Sequence, residues 1–185
     1  MGNWCKNITV VGPSQADVVA ALQAHDRHAY VTPTREGVTV VFDRASDQAG
    51  SPSELGDLAV TLSQDLKCPA LAAAVFDDDV LLLGLYDQGS QVGEYTSAGP
   101  STLGARRLSR AFGAAARTPL VWALLACPRV PLFIFESFRH RLLLGLLRHP
   151  TWAFATGYNY ISRGEPPEDL EGNALLHVDG QPRQG

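Results

Sequence analysis

Short β-branched runs closed by glycine or proline alternate along the first hundred residues with stretches of helical spacing. Asn7–Gly12 (NITVVG) ends at Gly12-Pro13 and predicts a strand. Ser14, with Asp17 three residues on, has the form of a capping box. Val18, Ala21, Leu22 and His25 then keep helical spacing. HAYVTPT and VTVVFD, separated by Arg35-Glu36-Gly37, predict a β-hairpin. Pro33 has no donor for a ladder, so the first of these runs is expected at a sheet edge. Ser51-Pro52-Ser53-Glu54 reads as a helix start, with Ser51 as cap and Glu54 closing the box. Leu55, Leu58, Leu62 and Leu66 mark one face of that helix, and Pro69 ends it. ALAAAVF supplies a fourth strand. The order β-α-β-β-α-β predicts an α+β, ferredoxin-like sandwich, with both helices on one face of an antiparallel sheet.

Two more apolar strands follow, Val80–Tyr86 and Gln91–Thr96, which extend the sheet as a meander. Asp87-Gln88-Gly89-Ser90 joins them as a turn. Asp77-Asp78-Asp79 holds the equivalent place before Val80. Short acidic side chains tolerate left-handed backbone, so the triplet reads as a hairpin corner. A calcium loop would space its ligands alternately and close on a glutamate, and neighbouring residues of an extended strand face opposite ways. No metal site is therefore expected.

After Gly99-Pro100 the pattern turns helical. TLGARRLSRAFGAAAR places Gly104, Leu108, Ala111, Phe112 and Ala115 on one face, with Arg106, Arg110 and Arg117 opposite and Arg107 beside them. Pro119–Cys127 predicts a short buried helix, and FIFESFRHRLLLGLLRH a longer one stopped by Pro150. Residues 151–163 read as helix, although Tyr158 and Tyr160 alternate like a strand. ALLHV predicts one late strand before a polar tail. The expected organisation is a sandwich with meander over 1–100, a helical extension packed on it over 101–178, and a tail over 179–185.

Composition narrows the class. With 185 residues, 45% of them hydrophobic, the chain can bury a sizeable core as one unit. The three cysteines, Cys5, Cys68 and Cys127, are far apart and form no C-x-x-C pair, which fits free thiols in a reducing, cytoplasmic setting. Arginine outnumbers lysine 13 to 2, a bias of GC-rich, bacterial genomes. Thr118–Phe135 is the most lipid-like stretch. Pro128, Arg129 and Pro131 cut it short of the roughly 20 apolar residues a membrane helix needs, so a core segment is expected and no membrane partner. No secretory leader is expected, because Pro13 and Asp17 interrupt the run after Lys6.

The net charge of −4 hides a split. Residues 1–100 hold 5 basic and 13 acidic side chains, or −8; residues 101–185 hold 10 and 6, or +4. Net acidity without interleaved exposed aromatics argues against nucleic acid. The arginine face near 106–117 reads as solvated, or docked on the acidic half. Glu136, Arg139 and His140, at i, i+3 and i+4 of a helix, are the one constellation for acid–base chemistry. An intrahelical Glu136–Arg139 pair explains them without catalysis. His25, His28, His149 and His177 show no zinc-hydrolase spacing, and no Walker, G-x-G-x-x-G or G-x-S-x-G motif occurs. Gly12-Pro13-Ser14 offers amides for an anion at a helix start. Tyr86, Tyr95, Tyr158, Tyr160 and Trp152 form either a binding face or core.

Two functions are expected from this. The first is a non-catalytic interaction protein, adaptor-like or immunity-like, whose acidic half attracts a basic protein partner. The second is a small enzyme or ligand-binding domain around Glu136, Arg139 and His140. Neither calls for a cofactor.

Overall fold

The computed structural model describes residues 2, 4–49, 52–127, 135–170 and 174–180. One antiparallel sheet of seven strands forms its centre, in the order β6-β5-β4-β1-β3-β2-β7. The chain runs β1 (Cys5–Val11), α1 (Gln15–Ala24), β2 (Ala29–Val31), β3 (Val38–Asp43), α2 (Arg44–Gln48), α3 (Ser53–Asp65), β4 (Ala70–Phe76), β5 (Val80–Asp87) and β6 (Ser90–Thr96). It continues through α4 (Ala105–Ala111), α5 (Thr118–Ala126), α6 (Glu136–Leu146), α7 (Tyr158–Ser162) and β7 (Leu176–Val178). The architecture is α+β, as the element order predicts.

Alternation along the strands divides the side chains between two helical layers. Ile8 and Val10 of β1, Val41 of β3 and Ala70, Ala72 and Ala74 of β4 face α1 and α3. There they meet Val18, Leu22, Leu55, Leu58 and Leu62. Their neighbours Cys5, Leu71, Val75, Leu81, Leu83 and Leu85 face the other way and meet Leu108, Phe112, Val121, Leu124, Leu143 and Leu147 of α4–α6. Val40 and Phe42 join Leu144, Ala153 and Ile161 beside them. The helical second half thus covers the sheet face that α1 and α3 leave free.

Local chemistry sets the ends of these elements. Ser14 and Asp17 form the expected capping box, each side chain bonding the other's backbone amide. Asp43 caps α2, an element the hydrophobic pattern does not predict, by accepting from the Ser46 amide. α3 starts at Ser53 with Pro52 in the capping position and no side-chain cap bond from it; Ser51, the expected cap, lies outside the described residues. Glu54 faces Arg27 at 3.6 Å.

Three expectations are corrected. β2 is not an edge strand, because β7 pairs with it in the register Ala29↔Val178 to Val31↔Leu176; Pro33 lies beyond its end. The helix predicted over residues 102–117 is broken at Gly113, whose φ of 65° leaves the helical region; a 3-10 turn, Ala115–Arg117, follows. α5 is only half-buried. Val121 and Leu124 reach the core, while Leu120 and Trp122 are 57% and 66% exposed. Residues 151–163 form a 3-10 turn, Thr151–Ala153, and the short helix α7. Pro128, Arg129, Pro131 and the tail beyond residue 180 lie outside the described residues.

Candidate functional site

Glu136 opens α6, where a carboxylate is favoured by the helix dipole, and its amide donates to the Asp78 carbonyl at 2.8 Å. Arg139 Nε donates to Glu136 Oε2 at 2.8 Å and Nη2 to Oε1 at 3.4 Å. Arg139 Nη1 donates to the carbonyls of Leu124 (2.6 Å) and Cys127 (2.8 Å). One guanidinium therefore fastens the start of α6 to the last turn of α5. Both side chains are almost wholly buried, at 0% and 1% exposure. Paired charges with their hydrogen bonds satisfied are tolerated in such a place, and unpaired ones are not.

His140 shares no hydrogen bond with Glu136 or Arg139. It is 1% exposed, and neither ring nitrogen has a hydrogen-bond partner among the described residues. Burial pushes its pKa down to about 3, with His149 adding to the effect. The structure brings Glu136 and Arg139 together and leaves His140 apart from both.

A buried polar seam, which the sequence reading does not single out, lies on the same side of the sheet. Thr9 Oγ1 and His149 Nε2 are 2.7 Å apart, and His149 Nδ1 lies 2.5 Å from the Pro150 carbonyl. A carbonyl only accepts, so Nδ1 carries the hydrogen and Nε2 accepts from the Thr9 hydroxyl. Burial pushes the His149 pKa down to about 4. Asn7 Nδ2 donates to the Ala153 and Thr156 carbonyls at 2.9 and 3.3 Å. Polar side chains at alternate positions of an apolar strand, Asn7 and Thr9, are the signal for this seam. It fixes residues 149–156 to the central strand.

The remaining expected residues have local roles. Asp77 and Asp78 adopt φ of 52° and 56°, and the Asp79 amide returns to the Phe76 carbonyl at 2.9 Å. That is the tight turn of a hairpin between β4 and β5. Among the described residues no group of three or more His, Cys, Asp or Glu side chains could hold a metal ion. At the start of α1 the Ser14 amide is already bonded by the Asp17 carboxylate at 3.0 Å, which fills the place an anion would take. Arg117 donates to the carbonyls of Gly145 and Leu146 at the end of α6. Arg107 bonds the Val92 carbonyl, whereas Arg106 and Arg110 make no ion pair among the described residues. The aromatic residues form no common face. Tyr86 packs in the α1/α3 layer and Tyr95 in the other, Tyr158 packs on Tyr30, and Trp152 is buried.

What stands out is the outer side of α5 and α6. Seven large apolar side chains are exposed among the described residues; five of them, Leu120, Trp122, Phe135, Phe138 and Leu142, belong to these two helices and the residue before α6. Phe135 and Phe138 stack at 6.3 Å. Glu136, the one carboxylate of residues 101–149, is buried in its pair, so the exposed charges that α6 itself carries are arginine. The available signal was α5 itself, which is apolar on every side but only nine residues long. Among the described residues no helix is long and apolar enough to cross a membrane. No protein-family model, curated protein or solved structure matches the chain.

Proposed function

We propose that the chain is a non-catalytic protein-interaction domain that docks through the outer face of α5 and α6. The observation that carries this is the concentration of exposed Leu120, Trp122, Phe135, Phe138 and Leu142 there. Exposed apolar clusters of this kind mark contact surfaces, and aromatic residues anchor them. Exposed Arg141 lies on α6 and exposed Arg148 just past its end, which favours a partner whose apolar patch is ringed by carboxylates. The basic partner expected from the −8 balance has less support. Asp43 is taken by Arg27, Asp65 by His25, and Asp47 by the Asn159 amide. An interfacial membrane helix would need a strongly basic polar face of its own, and α5 carries no charge.

The β1–β4 unit fits a ferredoxin-like sandwich, supported by the strand order β4-β1-β3-β2 and by α1 and α3 on one face. The three free thiols fit a reducing, cytoplasmic compartment and an adaptor or immunity role. The enzyme alternative has weaker footing, because Glu136, Arg139 and His140 sit in filled interior.

The test compares wild type with Trp122→Ser and Arg141→Ala at low and moderate salt. Melting temperatures should be unchanged, and association with an acidic partner should slow with salt and be lost in both variants. Hydrogen exchange should show protection on α5 and α6 in the complex. Sedimentation with anionic vesicles, or binding that neither variant affects, would refute the docking face. Loss of a metabolite's turnover in Glu136→Gln at unchanged melting temperature would restore the enzyme reading.

A further inference from the structure

Between α3 and the β5–β6 extension, on the sheet face opposite α5 and α6, runs a groove of about 460 Å³. Its origin lies in small residues. Ala72 and Ala74 of β4, Gly84 of β5 and Gly56 of α3 line it, where larger side chains would close a helix-on-sheet layer. Leu55, Val60 and Leu82 make its apolar walls. The volume is in the range that holds small organic molecules.

Tyr86 lies along the groove and is 8% exposed. The two glycines make its slot. A Cβ on Gly84 would come within 2.8 Å of the ring, and one on Gly56 within 2.8 Å of the hydroxyl. That hydroxyl has no hydrogen-bond partner among the described residues. The hydroxyl opens onto the groove, where it is free to bond a ligand atom. Among the described residues the charged ones lining the groove are Asp57 and Glu94, and Gln91 Nε2 donates to Glu94 Oε2 at 3.2 Å. Burial, then Glu94 and Asp57, raise the Tyr86 pKa, which keeps the phenol neutral at pH 7.

We infer that this groove binds a small organic cation with an apolar body, an alkyl- or aryl-ammonium compound. Its ammonium would donate to the Glu94 carboxylate and the Tyr86 oxygen. Its hydrocarbon would lie on Ala72, Ala74 and Leu82. Two carboxylates without a lining cation exclude an anion by repulsion. The site is separate from the docking face proposed above and does not depend on it.

Hexylammonium, hexanol and hexanoate, titrated in turn against 15N-labelled protein, provide the test. Hexylammonium should shift the amides of Gly56, Gly84, Tyr86 and Gln91 while leaving those of α5 and α6 in place. Hexanol should bind more weakly and hexanoate not at all. Glu94→Gln, an exposed change that spares the fold, should weaken hexylammonium about fivefold. Ala72→Leu, which fills the groove, should remove binding without lowering the melting temperature. Absence of shifts at the groove, equal binding of the three probes, or unchanged affinity in Glu94→Gln would overturn the assignment.

Discussion

At pH 7 His140 and His149 are both neutral in the interior, with pKa values pushed down to about 3 and about 4 by burial. In the unfolded chain they return to an ordinary value near 6.5. Below that pH the unfolded chain takes up protons that the folded chain refuses. Stability is untouched by these groups above about pH 6.5 and falls below it by about 1.4 kcal/mol per pH unit for each histidine. Denaturant midpoints measured from pH 7 to pH 4.5 should decline with a slope approaching two protons. His140→Leu should halve that slope and raise the midpoint at every pH, since it removes an imidazole with no partner. Glu136→Ala should act oppositely, leaving Arg139 charged and alone in the interior at a cost of about 3 kcal/mol. Residue roles were legible where they are local. The Ser14–Asp17 box and the Glu136–Arg139 pair span three residues each. The Thr9–His149 contact joins positions 140 residues apart, and nothing in either neighbourhood announces the other.

Among the elements, strands and tight turns were the most legible, because alternation and left-handed turn residues are written within a few positions. ALAAAVF is β4 residue for residue. Gln88 and Gly89, at φ of 48° and 78°, make the β5–β6 turn where composition places it. The aspartate turn should accept Asp78→Asn with a stability change within about 0.5 kcal/mol, because asparagine takes the same left-handed backbone and leaves the carbonyl bonded to Glu136. Calcium should leave the melting temperature unaltered; a rise with added metal would show an ion bound to the folded state. Two element-level readings failed for one reason. The edge status of β2 and the burial of α5 depend on what covers them, and that information is nonlocal. β2 is covered by a strand from the far end of the chain, while one side of α5 is left bare.

For the whole molecule, the sheet is a partition. Leu71, Val75, Leu81, Leu83 and Leu85 are kept from water by α4–α6. At roughly 2 kcal/mol apiece this burial is on the order of 10 kcal/mol, as large as the whole stability of a typical domain. A fragment ending at Gly99 should therefore aggregate or lose its cooperative transition. A soluble monomer with a sharp unfolding curve would instead make the first hundred residues independent. Charge follows the same partition, with carboxylates of α1 and α3 on one side and arginines of α4 and α6 on the other. The split along the sequence was visible; its conversion into two opposed faces required the fold.

The pairing of β7 with β2 also bears on the order of events during synthesis. Residue 29 leaves the ribosome long before its partner at 178, so the outer edge of β2 is bare until about 150 further residues have emerged. Contacts this distant in sequence form late and slowly. Chains stalled before Leu176 should present that edge to one another and pair strand to strand. In pulsed hydrogen exchange the β2 amides facing β7 should be the last of the sheet to become protected. Leu176, His177 and Val178 thus act as a seal on β2, and their arrival closes an edge that is adhesive until then.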